Sequence, residues 1–137
     1  ENINADTTKS FFDIVNIKIL GNDNQCRVNI FDAKKRQFPL EINMLENHPF
    51  SSQAFIPLQK TTFIVIVAPI SDIPDINSIE AFKIPNEEGI NFLPKVWHFP
   101  LIAIEDSKFL TIDKKDFKNN LEIYNFQNNH KIFLNYE

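Results

Sequence analysis

The chain has 137 residues, 43% of them apolar and 23% charged, which is the make-up of one folded domain and not of a disordered chain. Fourteen basic against 18 acidic side chains leave a net charge of −4, which argues against a nucleic-acid binder. The longest apolar run, Phe63 to Ala68, is too short to cross a bilayer, the single Cys26 has no partner for an internal disulfide, and two glycines cannot build a glycine-rich phosphate loop. With no visible signal peptide, the expected compartment is the cytoplasm. The chain starts at Glu1 without a methionine, which leaves room for a short natural segment ahead of it. Ile outnumbers Val 20 to 5, Lys outnumbers Arg 12 to 2, and 17 residues are Asn, a bias that reads as an AT-rich coding background.

Taken in chain order, the elements are mostly of period two. Ile17 and Ile19 flank Lys18, and Cys26, Val28 and Ile30 alternate with Arg27, Asn29 and Phe31, the pattern of half-buried strands. Lys34-Lys35-Arg36 reads as a solvated turn, with attraction of an anionic substrate as its functional alternative. A strand is expected near Gln53–Leu58. Phe63-Ile64-Val65-Ile66-Val67 is continuous and β-branched, so it is expected to be a central strand covered on both faces. The one helical candidate runs from Asp75 to Ala81, where Ile76 and Ile79 share a face. Further strands are expected near Ala81–Ile84, Leu101–Ile104 and Phe109–Ile112, and Leu121 and Ile123 alternate around Glu122. Eight prolines and many Asn and Asp residues punctuate these runs. Short strands with turns between them, no repeat and no linker predict a single all-β domain over residues 1–137, a sandwich or barrel with at most one short helix.

Three histidines are present. His130 lies in the polar stretch Gln127-Asn128-Asn129-His130 and reads as solvated. His48 and His98 stand beside proline-bearing strand starts in apolar sequence, and His48 is pushed toward an extended conformation by Pro49. Each, taken alone, is more often a core histidine satisfied by a backbone carbonyl than a functional group. Glu46, two residues before His48, would share its strand face, where a carboxylate and an imidazole can orient each other for acid–base work. Its bland reading is an exposed strand charge. No Cys or His spacing fits a structural zinc site, and Ser51-Ser52 lacks the surroundings of a nucleophile elbow.

The segment His48-Pro49-Phe50-Ser51-Ser52-Gln53-Ala54-Phe55-Ile56-Pro57-Leu58 strongly resembles the signature of the ureidoglycolate lyases, formerly called ureidoglycolate hydrolases. Gly89-Ile90-Asn91 leading to Val96-Trp97-His98 and Pro100-Leu101 resembles the second signature, and Phe109-Leu110-Thr111-Ile112-Asp113 the closing strand. A weaker match at Asn4, Thr7, Phe11 and Asp13 extends the resemblance to roughly Asn4–Asp113. It implies a cupin-type β-barrel (a double-stranded jelly roll), usually a homodimer, that cleaves ureidoglycolate to glyoxylate and urea in purine (allantoin) catabolism. It implies that His48 and His98 come from different strands into one barrel mouth and carry proton transfer. Gln53 would hydrogen-bond the ureido group and Glu46 would orient. Lys95 would anchor the substrate carboxylate. Trp97 would wall the pocket, with a core aromatic at least as good a reading. Phe11-Phe12 and residues 131–136 are expected at the dimer contact, with closure of the barrel ends as the alternative for both. No cofactor is expected: metal-binding cupins usually present a His-x-His pair, whereas Pro49 and Phe50 follow His48, and two His with Glu46 as a facial set is the lesser reading.

The departures from the family pattern remove polar groups together. Asp32 stands where family members typically have Arg, Phe92-Leu93-Pro94 where they have Tyr-His-Arg, Phe99 where a second His follows Trp-His, Phe12 where His is frequent, and Asn47 where Arg is frequent. Codon drift would have kept a Lys for an Arg. The expectation is therefore a ureidoglycolate lyase-like enzyme with a weakened or altered pocket. The alternative is a non-catalytic cupin that binds a small ligand, and a third reading is a structural dimer.

Overall fold

A computed structural model describes residues 1–127 and 129–137. The strands are β1 (Asn2–Ile3), β2 (Thr8–Lys9), β3 (Cys26–Ala33), β4 (Leu40–Ile42), β5 (Met44–Asn47), β6 (Gln53–Pro57) and β7 (Phe63–Ala68), followed by β8 (Glu80–Ile84), β9 (Ile90–Phe92), β10 (Trp97–His98), β11 (Ile102–Ala103), β12 (Ser107–Lys114), β13 (Glu122–Asn125) and β14 (Ile132–Leu134). All named pairings are antiparallel. One sheet runs β11-β7-β10-β5-β13 with β8 added to β7, a second runs β3-β12-β6-β9, and β1-β2 and β14-β4 form separate ribbons. This is the expected all-β, cupin-like arrangement. No helix among the described residues is long and apolar enough to cross a membrane.

Strand β7 lies between two cores, as its unbroken apolar run predicts. Phe63 and Val65 point between the sheets, where they meet Phe55, Phe92 and Phe109. Ile64, Ile66 and Ala68 point the other way, into a cluster with Ile42, Leu45, Trp97, Phe99 and Ile102. Strand β14 covers that second cluster with Ile132 and Leu134, so the C-terminal stretch closes the fold, although Phe133 stays half exposed. Edge-to-face ring pairs knit the inner core, Phe63–Phe109 at 5.1 Å and Phe55–Phe92 at 6.0 Å.

Three local expectations change. The helical candidate at 75–81 is a single 3-10 turn, Ile76–Ser78, whose cap Asp75 accepts from the Asn77 N–H at 2.9 Å. Beyond it Ile79 is already extended and Glu80 begins β8, so strand pairing with β7 outcompetes helix propagation. Residues 17–19 form no named strand. They meet the signature turn through one bridge, Ile19 to Ser51, and through the Ser52 N–H donating to the Lys18 carbonyl at 2.9 Å. In β3 the alternation is real but inverted: Val28 and Ile30 are 60% and 57% exposed, while Arg27, Asn29 and Phe31 face β12 residues on the inner side.

Candidate active site

The sheets part at one end of the inner core around a cavity of about 210 Å³, with Glu46, His48, Gln53, His98, Arg27 and Asp113 on its wall. Adjacent strands of one sheet supply the acid–base groups. Glu46 on β5 and His98 on β10 are direct register partners, so their side chains leave the sheet on one face, and His98 Nε2 stands 3.6 Å from Glu46 Oε1. His48 follows β5 by one residue, and its ring centroid lies 5.1 Å from that of His98.

Both imidazoles are pinned through Nδ1. His98 Nδ1 is 3.0 Å from the Val96 carbonyl and His48 Nδ1 is 2.8 Å from the Asn120 carbonyl. A carbonyl only accepts, so each Nδ1 carries a proton and donates, which leaves Nε2 as the reactive nitrogen. His98 Nε2 is buried and hydrogen-bonds to nothing among the described residues. Its ring lies flat on Phe92, 4.1 Å between centroids and 7° between planes, which fixes the direction of that lone pair.

Gln53 joins His48 to the second sheet. Its Oε1 is 3.0 Å from His48 Nε2, and its Nε2 donates to Asp113 Oδ2 at 3.3 Å. Asp113 and the Asn120 carbonyl are both acceptors, so the chain between them is complete when His48 is protonated and lacks one proton when it is neutral. Burial opposes the charge more strongly than these contacts favour it. It pulls His48 below the ordinary imidazole range, helped by neighbouring His98 and resisted by the Asn120 carbonyl, Glu46 and Gln53. Asn120 also holds the signature turn itself, since its Oδ1 accepts from the Phe50 N–H at 2.7 Å and its Nδ2 donates to Ser51 Oγ at 2.8 Å.

Opposite stands Arg27, paired across the register with Asp113. Its Nε and Nη2 donate to the two carboxylate oxygens at 2.7 and 3.1 Å, a fork that raises the guanidinium pKa against the cost of burial.

Of the residues singled out in the sequence, His48, His98, Glu46 and Gln53 meet at this cavity. Two are not brought to it. Trp97 neighbours His98 in a strand, so it faces the opposite side. It is 3% exposed in the outer core, with Nε1 donating to the Ser71 carbonyl at 2.9 Å. Lys95 sits on the turn before β10 with φ at +67°, its side chain in solvent, and only its backbone N–H reaches the site region, donating to the His48 carbonyl at 3.0 Å. The sequence assigns no role to Arg27, Asp113 or Asn120, although Asp113 ends the segment that resembles the family's closing strand. Their signal is pairing between residues 60 to 86 positions apart, which no local pattern carries.

One donor atom from each of Glu46, His48 and His98 lies within 4.8 Å of the others, so this set can hold a metal ion. The donor chemistry fits. Both rings have their second nitrogen on a backbone carbonyl, as metal-ligating histidines do, and His98 Nε2 is an orphaned buried lone pair.

A family model described as ureidoglycolate lyase matches residues 1–133. A protein of Stutzerimonas stutzeri (strain A1501) named ureidoglycolate lyase is 35% identical over 133 residues, covering 96% of this chain and 78% of the relative. A protein of the same name from Burkholderia mallei (strain NCTC 10229) is 42% identical over 113 residues, 82% of this chain and 66% of the relative. One from Pseudomonas putida (strain F1 among its designations) is 34% identical over 134 residues, 97% and 80%. The match runs through both signature segments and the strands that place Glu46, His48, Gln53 and His98, and on it the chain belongs to the ureidoglycolate lyase family.

Proposed function

We propose that the protein is a ureidoglycolate lyase that cleaves ureidoglycolate to glyoxylate and urea. The observation that carries this reading is His98 Nε2, a buried nitrogen without a partner, beside the Glu46 carboxylate and facing the cavity that His48 and Gln53 also line. The carbon to be cleaved bears a hydroxyl and the ureido nitrogen. His98 Nε2 takes the hydroxyl proton, the oxygen lone pair closes to a carbonyl, and the C–N electrons leave with the nitrogen. That nitrogen then collects a proton, delivered from the imidazole pair, so no net proton is consumed. Glu46 steadies the positive charge that builds on His98, and Gln53 and His48 orient the ureido end. No step of this reading uses a cofactor. A divalent ion held by Glu46, His48 and His98 would supply Lewis-acid polarisation of a substrate oxygen.

The reading places the reaction in purine (allantoin) breakdown in the cytoplasm. We also infer a homodimer joined through the bare outer side of β3 and β12. Val28 and Ile30 stand exposed there beside the half-buried Leu110 and Ile112, on a sheet whose edge strand is β3. Phe11 and Phe12, 71% and 62% exposed, are further apolar side chains open to a partner.

The test is glyoxylate released from ureidoglycolate by the purified protein, with and without prior chelation, against His98→Ala. Turnover that survives chelation and falls about a hundredfold or more in the variant supports the assignment. Turnover lost on chelation and restored by a divalent ion moves the hydroxyl-polarising role to the ion. No turnover under either condition favours a cupin that only binds a small ligand.

A further inference from the structure

We propose that Arg27 is the carboxylate-binding residue of this cavity, presented by Asp113 so that one edge of its guanidinium is free for the ligand. The proposal rests on the lyase reading for its substrate, an α-hydroxy carboxylate whose product is an α-oxo carboxylate. Ureidoglycolate and glyoxylate share that group, and something must hold it while the imidazoles act at the neighbouring carbon.

Among the residues that line the cavity, Arg27 is the one Lys or Arg. A guanidinium carries five N–H donors in a rigid plane. Asp113 occupies the edge formed by Nε and Nη2, at 2.7 and 3.1 Å. The adjoining edge, with two parallel N–H groups on Nη1 and Nη2, meets no protein acceptor among the described residues. That is the arrangement a carboxylate takes bidentately.

The surroundings hold the fork still. Asp113 is 2% exposed and receives a further hydrogen bond from Gln53, and the Phe117 ring lies 4.6 Å from the guanidinium carbon. The Arg27 side chain itself is 30% exposed and lines the cavity, so a ligand there can reach the guanidinium. Charge sorts the two ends of a bound molecule. Glu46 stands beside His98 and repels an anion from that side, whereas the Asp113 charge is matched by the guanidinium it touches, so the carboxylate turns to the remaining Arg27 donors and the carbinol carbon to the imidazoles. Asp113 thus has two duties, aiming the Arg27 fork and setting the Gln53 amide that faces His48.

Arg27→Gln alone leaves a buried carboxylate unpaired and destabilises the fold, so the variant of choice is Arg27→Gln with Asp113→Asn, which removes both charges and keeps both shapes. Glyoxylate binding is measured directly by calorimetry on the dimeric or monomeric protein as purified, and KM and kcat are measured with ureidoglycolate. Folding is checked by the melting temperature, and Arg27→Lys is the conservative rescue. The expected result is glyoxylate affinity about ten- to a hundredfold weaker in the double variant, KM raised more than kcat falls, and partial recovery in Arg27→Lys. A folded double variant that binds glyoxylate as tightly as the parent overturns the proposal, as does a parent that binds no glyoxylate. A parent that binds glyoxylate through Arg27 but does not cleave ureidoglycolate keeps this subsite and overturns the lyase reading. Cleavage that continues with an unchanged KM in the double variant does the reverse.

Discussion

Replacing Glu46 by Gln keeps the shape of the side chain and removes its charge, so it isolates what the carboxylate does for His98. At the 3.6 Å that separates Oε1 from Nε2, a full imidazolium–carboxylate attraction at an effective dielectric of about 20 is worth about 4.6 kcal/mol. In the transition state the proton is only part-transferred, and a fifth of the Glu46 side chain touches solvent, so about 2 kcal/mol is the stabilisation at stake. Loss of that amount lowers kcat roughly thirtyfold. KM should move much less, because the charge on His98 exists only as the proton arrives. The assay is glyoxylate release under saturating ureidoglycolate, repeated after chelation so that a charge effect is separated from a lost metal ligand. A Glu46→Gln enzyme within threefold of the parent kcat would refute the role given to this pair.

Burial holds His48 below its ordinary pKa, so between that lowered value and about 6.5 the unfolded chain binds more protons than the folded one, and stability is lost as pH falls through this window. Urea midpoints measured from about pH 7 down to about pH 5 should therefore decline, and His48→Asn should flatten the decline. Ile30→Glu, on the bare side of β3, should give a monomer by light scattering that keeps its all-β circular dichroism, with a melting temperature that no longer depends on protein concentration. Phe109→Ala, at a fully buried position in ring contact with Phe55 and Phe63, should cost about 3–5 kcal/mol of unfolding free energy by chemical denaturation.

The fold was legible where burial writes itself into short-range pattern. The unbroken run of β7 announces two cores, and both exist. The alternation in β3 announces a strand, but period two cannot say which face turns inward, and here the apolar one turns out. The histidines of the site were legible because the signature segments carry them. Their partners were not: Asp113 reaches Arg27 and Gln53 only because β12 lies between β3 and β6, and Asn120 reaches His48 through a loop carbonyl that any residue type could offer. Nearness in sequence to His98 points Trp97 and Lys95 toward the pocket, but Lys95 lies on the turn before β10 and Trp97 is the strand neighbour of His98. In a strand, nearness by one residue means the opposite face.

The same alternation bears on the family positions where this chain has lost polar groups. Asp32 lies on the exposed side of β3 in register with Lys108, away from the cavity. Phe99 is 6% exposed in the outer core beside Trp97, and a histidine there would meet Ile42 and Leu45, not the imidazole pair. The Asn47 amide donates to Glu122 at 2.9 Å on the side of β5 opposite Glu46, and Phe12 and Leu93 are exposed. Of these positions only Phe92 touches the acid–base pair, and it does so by stacking on His98, a contact that an aromatic ring makes with or without a hydroxyl. The substitutions therefore alter outer faces and one stacking ring while Glu46, His48, Gln53 and His98 keep their places. A cation missing from one family position is no argument for an empty anchor when Arg27, from a different strand position, already lines the cavity with a free edge.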